Sequence, residues 1–163
     1  MTTASNRNSL VLDALAFYFS VLFLYTAFSK LTDFTTFQFD LHRDPIVGWL
    51  GTPISIGLPA VEIMIAALLL FRRGNRIAWW LSFYIMLVFT GYVMIILTFI
   101  PHKDIPCSCG GLIRFMSWRN HLLFNAATTL LAVGGIRVAR KVRGQLSSNR
   151  MRGDQILYNK LLS

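Results

Sequence analysis

The chain has 163 residues, of which 55% are hydrophobic and only 14% are charged, and its formal net charge is +9. A soluble domain would carry about a quarter charged residues, so this composition excludes that class. The apolar residues occur in long runs, each near the roughly 20 residues needed to span a bilayer. The sequence therefore predicts a multi-pass membrane protein in contact with lipid.

Four apolar segments are long enough to cross a membrane by the hydropathy-window rule. They lie at about 10–30, 53–71, 77–100 and 117–136. The first is too long for the apolar part of a signal peptide and no small-residue cleavage site follows it, so we expect it to remain as a membrane anchor. These segments predict an all-α fold, a four-helix up-down transmembrane bundle formed by residues 1–143.

Three stretches outside the spans have distinct character. Residues 32–52 are aromatic and amphipathic and are expected to lie along the membrane interface. The stretch 72–76 permits only a tight antiparallel hairpin between the second and third spans. Residues 144–163 form a basic tail with weak periodicity, for which a loose helix and a disordered segment both remain open.

The distribution of Lys and Arg predicts the orientation. Basic residues gather in the turn between the second and third spans and after the fourth span, and one precedes the first span. Both termini are therefore predicted to be cytoplasmic, in a bacterial inner membrane, with the two longer connections in the periplasm. A basic tail beside an anionic leaflet accounts for the net charge, so no nucleic-acid partner is predicted.

The two cysteines, Cys107 and Cys109, lie one residue apart in the connection before the fourth span. A pair this close can form only a small, constrained disulfide ring, and strain makes such a bond more reducible. In an oxidising periplasm the pair is predicted to carry out thiol–disulfide exchange. Three nearby basic side chains are candidates to stabilise the thiolate: His102, Lys103 and Arg114.

Two alternatives for the cysteines remain open. One is a static structural disulfide, although so small a loop removes little chain entropy. The other is a metal site, although metal sites prefer two to four residues between cysteines. Its candidate ligands are Cys107, Cys109, His102 and His121. On these grounds no metal is assigned to the chain.

Polar side chains inside the spans form a second group of candidates. Glu62 lies roughly 13 Å from the outer end of the second span at 1.5 Å per residue. A carboxylate at that depth is costly unless it is neutral or paired, so Glu62 is a functional candidate. His121 and Asn125 share one face of the fourth span. Lys30 ends the first span and by itself is interpreted as a snorkelling anchor.

We expect these four side chains to form a polar pocket that handles protons or a quinone beneath the cysteines. Hydrogen bonding between helices is the structural alternative, above all for Asn125. Gly91, Gly134 and Gly135 are interpreted as close-packing positions. The aromatic runs 17–19 and 79–80 are expected to face lipid or the membrane interface.

The whole plan resembles the DoxX-like group and, within it, the MauE family, over about residues 8–137. The resemblance is carried by Ser29-Lys30-Leu31, by Pro59 and Glu62, and by the Cys-x-Cys-Gly sequence that begins at Cys107. It implies a membrane accessory in the maturation of methylamine dehydrogenase, a disulfide-rich periplasmic enzyme, acting beside a thioredoxin-like partner. Cys107 and Cys109 match the family's cysteine motif, while Lys30 and Glu62 match positions typical of the wider group.

The positions of the cysteines limit the mechanism. Because neither is predicted on the cytoplasmic side, the pair can exchange electrons only with a periplasmic protein or with a membrane-dissolved carrier such as a quinone. The favoured hypothesis is a redox-associated membrane protein that supports a periplasmic thioredoxin-like protein or a client enzyme. The alternatives are a non-enzymatic assembly or scaffold subunit whose cysteines form a structural disulfide, and a metal-handling protein that uses the cysteines and a histidine.

Overall fold

The computed structural model describes residues 2–99 and 118–161, and within these ranges its regular structure is entirely helical. The helices are α1 (Thr2–Thr32), α2 (Phe34–Arg43), α3 (Gly51–Phe71), α4 (Arg76–Phe99) and α5 (Trp118–Leu161), with a short 3₁₀ turn at Gly48–Leu50. All but α2 are long and apolar enough to cross a membrane. A helix satisfies its own backbone groups in hydrocarbon, as a membrane span must. The predicted all-α, four-span class is confirmed.

The helices pack as two antiparallel pairs. α1 packs along α3, α4 packs along α5, and contacts between α1 and α5 join the pairs. α3 and α4 contact each other much less, although only a short turn joins them. We call the end of the bundle that carries residues 72–75 the hairpin end, and the opposite end, which carries α2, the α2 end.

Aromatic rings fill the core toward the hairpin end. Trp79 is 1% exposed and stands nearly perpendicular to the ring of Phe19, with 5.7 Å between the centroids. Its indole N–H donates to the carbonyl of Arg73 at 2.8 Å. The expectation that Trp79 and Phe19 face lipid is therefore wrong, because both rings lie among four packed helices.

One glycine makes this aromatic packing possible. A Cβ on Gly135 would lie 2.0 Å from the ring of Trp79, so the close-packing interpretation is confirmed there. At Gly91 and Gly134 an added Cβ would meet nothing within 4 Å, and the same interpretation is wrong for those two positions.

The turn at the hairpin end is fixed from two sides. The Asn75 side chain accepts a hydrogen bond from the Ile77 N–H at 2.9 Å and so caps the start of α4. Arg143 of α5 donates to the Gly74 carbonyl at 2.5 Å. Beyond that contact α5 continues to Leu161, so residues 144–161 are helical and extend roughly 27 Å further at 1.5 Å per residue.

The connection at 32–52 is folded against the bundle. α2 buries Phe37 and Leu41 and packs mainly against α3. Its other face is exposed, as at Phe39. Asp44 follows the helix and accepts from the N–H groups of Ile46 and Val47 at 2.8 and 3.0 Å. The predicted amphipathic character of this segment is confirmed, and the apolar face of α2 covers one end of the bundle.

Candidate functional site

A buried ion pair joins α1 to α3 near the α2 end. Lys30 Nζ lies 2.8 Å from Oε1 and 3.0 Å from Oε2 of Glu62, and the two side chains are each 2% exposed. The ammonium also donates to the Thr26 carbonyl at 3.2 Å. These three acceptors match the three N–H donors of a lysine, so the charge is well compensated.

The pair is energetically demanding. Charges removed from water are tolerated only with close partners and further hydrogen bonds, and ionisable groups inside membrane spans are expensive without such partners. The interpretation of Lys30 as a snorkelling anchor is wrong, because its amine points into the protein and binds Glu62. Each of the two side chains is therefore required for the other to be buried as an ion.

An apolar cavity of about 510 Å³ lies beside this pair, between α3 and α4. Gly57 and Val61 line it from α3, and Tyr84 and Phe89 line it from α4, while α2 covers the α2 end. Among the described lining residues, Lys30 is the one with a charged side chain. Its Nζ also lies 6.0 Å from the centroid of the Phe89 ring, within the range of a cation–π contact.

Asp44 holds the turn after α2 against α4 through hydrogen bonds. It is 5% exposed, and besides capping the backbone after α2 it accepts a short hydrogen bond from the hydroxyl of Tyr92 on α4. Tyr92 itself lines the cavity. A single carboxylate thus fixes both the turn after α2 and the position of that turn over α4.

Polar side chains of α5 form a separate row. His121 and Asn125 lie one helical turn apart, with Nε2 and Nδ2 separated by 3.5 Å. Thr129 continues the row and contacts the Thr90 hydroxyl of α4 at 3.1 Å. Both His121 and Asn125 are 5% exposed, and His121 Nδ1 has no hydrogen-bond partner among the described residues.

The four residues predicted for one polar pocket therefore occupy two places. Lys30 and Glu62 meet beside the cavity, whereas His121 and Asn125 meet on α5. Among the described side chains, no direct hydrogen bond or ion pair joins one pair to the other. The predicted roles of these residues stay predictions.

The remaining predicted site residues lie outside the part of the chain that the structure describes. They are Cys107, Cys109, His102, Lys103 and Arg114. Phe99 ends α4 and Trp118 begins α5, both at the α2 end, so the connection that carries these residues joins the bundle at the end where Lys30 and Glu62 lie.

Sequence reasoning missed two contributors to the site. They are Asp44, in the turn after α2, and Phe89 of α4. The Asp44-Pro45 dipeptide next to an amphipathic segment is a turn signal that could have drawn attention to Asp44. For Phe89 no signal exists in the sequence, because its contact with Lys30 depends on how three helices pack.

Comparison with family models gives a match over most of the chain. The family model described as methylamine utilisation protein MauE matches residues 8–138. The searches of curated proteins and of solved structures found no match. The matched range includes the ion pair, the cavity and both cysteines.

Proposed function

Because the chain belongs to the MauE family of methylamine-utilisation membrane proteins, we propose that it supports the oxidative maturation of a periplasmic client. Cys107 and Cys109 exchange with a thioredoxin-like partner that carries disulfides to the client. The family implies methylamine dehydrogenase as that client. The protein lies in a bacterial inner membrane with both termini in the cytoplasm.

The observation that carries this proposal is the buried ion pair beside an apolar cavity at the α2 end. A bundle that served only as a scaffold would need neither a buried charge pair nor a cavity between two of its helices. The connection with the two cysteines belongs to the same end of the bundle. The ion pair and the cavity therefore support a membrane-embedded site at the end of the bundle to which the cysteine connection is attached.

The charge distribution supports the orientation. Arg72, Arg73 and Arg76 lie at the hairpin end, and α5 adds further basic residues beyond it. Cytoplasmic loops carry such an excess of Lys and Arg. With the hairpin end in the cytoplasm, the α2 end and residues 100–117 face the periplasm, where disulfides form and persist.

The exchange balances without a further reactant. A thiolate of the partner attacks the Cys107–Cys109 disulfide and forms a mixed disulfide, and the partner's second thiolate then displaces it. Two electrons pass to this protein, which is left with two thiols, and the partner leaves with a disulfide. His102, Lys103 and Arg114 stabilise the thiolate that departs.

A thiol-trapping experiment tests the proposal. Membranes are equilibrated in glutathione buffers, alkylated with a mass tag, and compared between the wild type, Cys107→Ser/Cys109→Ser and the control Ser108→Ala. We expect a midpoint potential of roughly −120 to −230 mV, the range of working oxidoreductases. The serine double variant should lose client maturation at normal membrane abundance, and Ser108→Ala should retain it.

Two outcomes would contradict the proposal. A disulfide that resists reduction below about −300 mV would be structural, and loss of membrane abundance in the serine double variant would assign it a bracing role. Both support the scaffold alternative. Stoichiometric metal in the purified protein, lost in the serine double variant, would support the metal alternative.

A further inference from the structure

The cavity beside Lys30 is open toward the membrane. Two of its lining side chains on α4, Tyr84 and Val88, are 55% and 69% exposed. They lie along the seam between α3 and α4, two helices that contact each other much less than α1 and α3 or α4 and α5 do. A molecule dissolved in the bilayer can therefore enter sideways between the two helices without passing through water.

The size and lining of the cavity define its ligand. A volume of about 510 Å³ falls within the roughly 300–1,000 Å³ of sites for small molecules and cofactors. The walls are apolar and partly aromatic, through Phe37, Phe89 and Tyr92. Against these walls stands one cation, Lys30, held in place by Glu62. This combination suits a flat, apolar ring that carries a hydrogen-bond acceptor.

We infer that the cavity between α3 and α4 binds the ring of a membrane-dissolved quinone, with Lys30 exchanging its hydrogen bond to the Thr26 carbonyl for one to a carbonyl oxygen of the quinone. The ring lies near Phe89, and the lipid tail of the quinone leaves through the seam past Val88. Glu62 is a positioning residue that fixes the ammonium at the cavity wall. Binding does not depend on the cysteines.

The electron transfer that this site allows rests on the proposed function. Two thiols, at Cys107 and Cys109, give two electrons and two protons to a quinone, which becomes the quinol, while a disulfide forms between the cysteines. The reaction regenerates the disulfide that exchange with the partner consumes. It also removes the need for a cysteine on the cytoplasmic side.

The binding test uses full-length protein in quinone-free lipid nanodiscs and tritiated ubiquinone-2 as the probe. Gly57→Phe introduces a ring at a lining position, and Gly91→Phe is its matched control. Both glycines are helical and have nothing within 4 Å of an added Cβ, but Gly91 does not line the cavity. We expect Gly57→Phe to weaken binding by about tenfold or more, and Gly91→Phe to stay within about twofold.

A second measurement does not depend on the folding of any variant. An azido-quinone is photo-crosslinked to the wild-type protein, and the labelled peptides are mapped. Labelling within 34–43, 51–71 or 76–99 supports the site, whereas labelling confined to α5 or to residues 2–29 of α1 overturns it. Equal weakening by Gly57→Phe and Gly91→Phe also overturns it, as does displacement of the probe by oleate as readily as by unlabelled ubiquinone-2, which would identify an acyl-chain groove.

The cysteine-free protein separates this inference from the proposed function. Cys107→Ser/Cys109→Ser should bind ubiquinone-2 as tightly as the wild type does. If it binds normally but the wild-type thiols show no exchange with a partner, the quinone site stands and the proposed function fails. If the thiols exchange but the probe never binds, the inference fails alone.

Discussion

Removing one partner of the Lys30–Glu62 pair should destabilise the protein far more than removing both. Each side chain is 2% exposed, and the ammonium contacts both carboxylate oxygens at 2.8 and 3.0 Å. After Lys30→Met the carboxylate has no cation beside it, and after Glu62→Leu the ammonium has no anion. The loss of one partner from a buried pair typically costs about 3–5 kcal/mol.

The double variant Lys30→Met/Glu62→Leu should behave differently, because no uncompensated charge remains. Replacing a buried pair by apolar groups of similar volume is often nearly neutral. We expect the double variant to lie within about 1 kcal/mol of the wild type, and hence about 2 kcal/mol or more above either single variant. Since 1.4 kcal/mol is a factor of about ten, the unfolding equilibrium constant of each single variant should rise by a factor of roughly 10²–10⁴.

The assay is reversible unfolding in mixed micelles, followed by far-ultraviolet circular dichroism. The pair of Asp13 and Arg73 serves as the control, because its atoms lie 2.5 Å apart but its side chains are 33% and 62% exposed. Breaking that pair by Asp13→Asn should cost no more than about 1 kcal/mol. If the losses of the two single variants add in the double variant, the two residues act independently and the reasoning is refuted.

Three further predictions concern other parts of the bundle. Gly135→Ala should destabilise the protein by about 1–3 kcal/mol, because the added methyl group overpacks against a buried indole ring. Gly134→Ala has open space around its added Cβ and should be neutral or stabilise the protein by up to about 1 kcal/mol. Equal effects of the two variants in the same unfolding assay would contradict this prediction. Asp44→Ala should lower the protection of α2 amides in hydrogen exchange, because three hydrogen bonds to that carboxylate are lost. The control is Asp33→Ala, which should leave the protection unchanged, because Asp33 is exposed and its side chain makes no capping hydrogen bond. Deleting residues 144–163 should leave the unfolding midpoint unchanged, and a lower midpoint would show that this helical extension packs on the bundle.

The sequence was sufficient to predict the four spans and to identify the charged residues that lie within them. Hydropathy alone located the four spans. A carboxylate or a lysine within a long apolar run is also visible without a structure. Lys30 and Glu62 were both identified in this way. Their contact was not, because it depends on which face α1 turns toward α3, and the snorkelling interpretation followed from considering Lys30 alone.

The interior of an apolar helix was harder to predict. Trp79 and Trp80 are adjacent and chemically identical, yet Trp79 is buried against Gly135 and Trp80 is only partly buried. In a membrane span the lipid-facing and protein-facing sides are both apolar, so composition does not distinguish them. The helical form of residues 144–161 was also beyond a clear prediction, since weak apolar periodicity is compatible with a helix stabilised by continuation from α5.

The packing of α4 has a consequence for biosynthesis. α3 finds its antiparallel partner, α1, already made when it leaves the ribosome, but α4 packs mainly on α5, which is synthesised last. At roughly 5–20 residues per second, α4 waits for seconds before the middle of α5 emerges. During that interval the indole of Trp79 lacks the glycine surface of Gly135 on which it comes to rest. Assembly of this bundle is therefore completed from its C-terminal end, and a chain interrupted before α5 leaves α4 without its main partner.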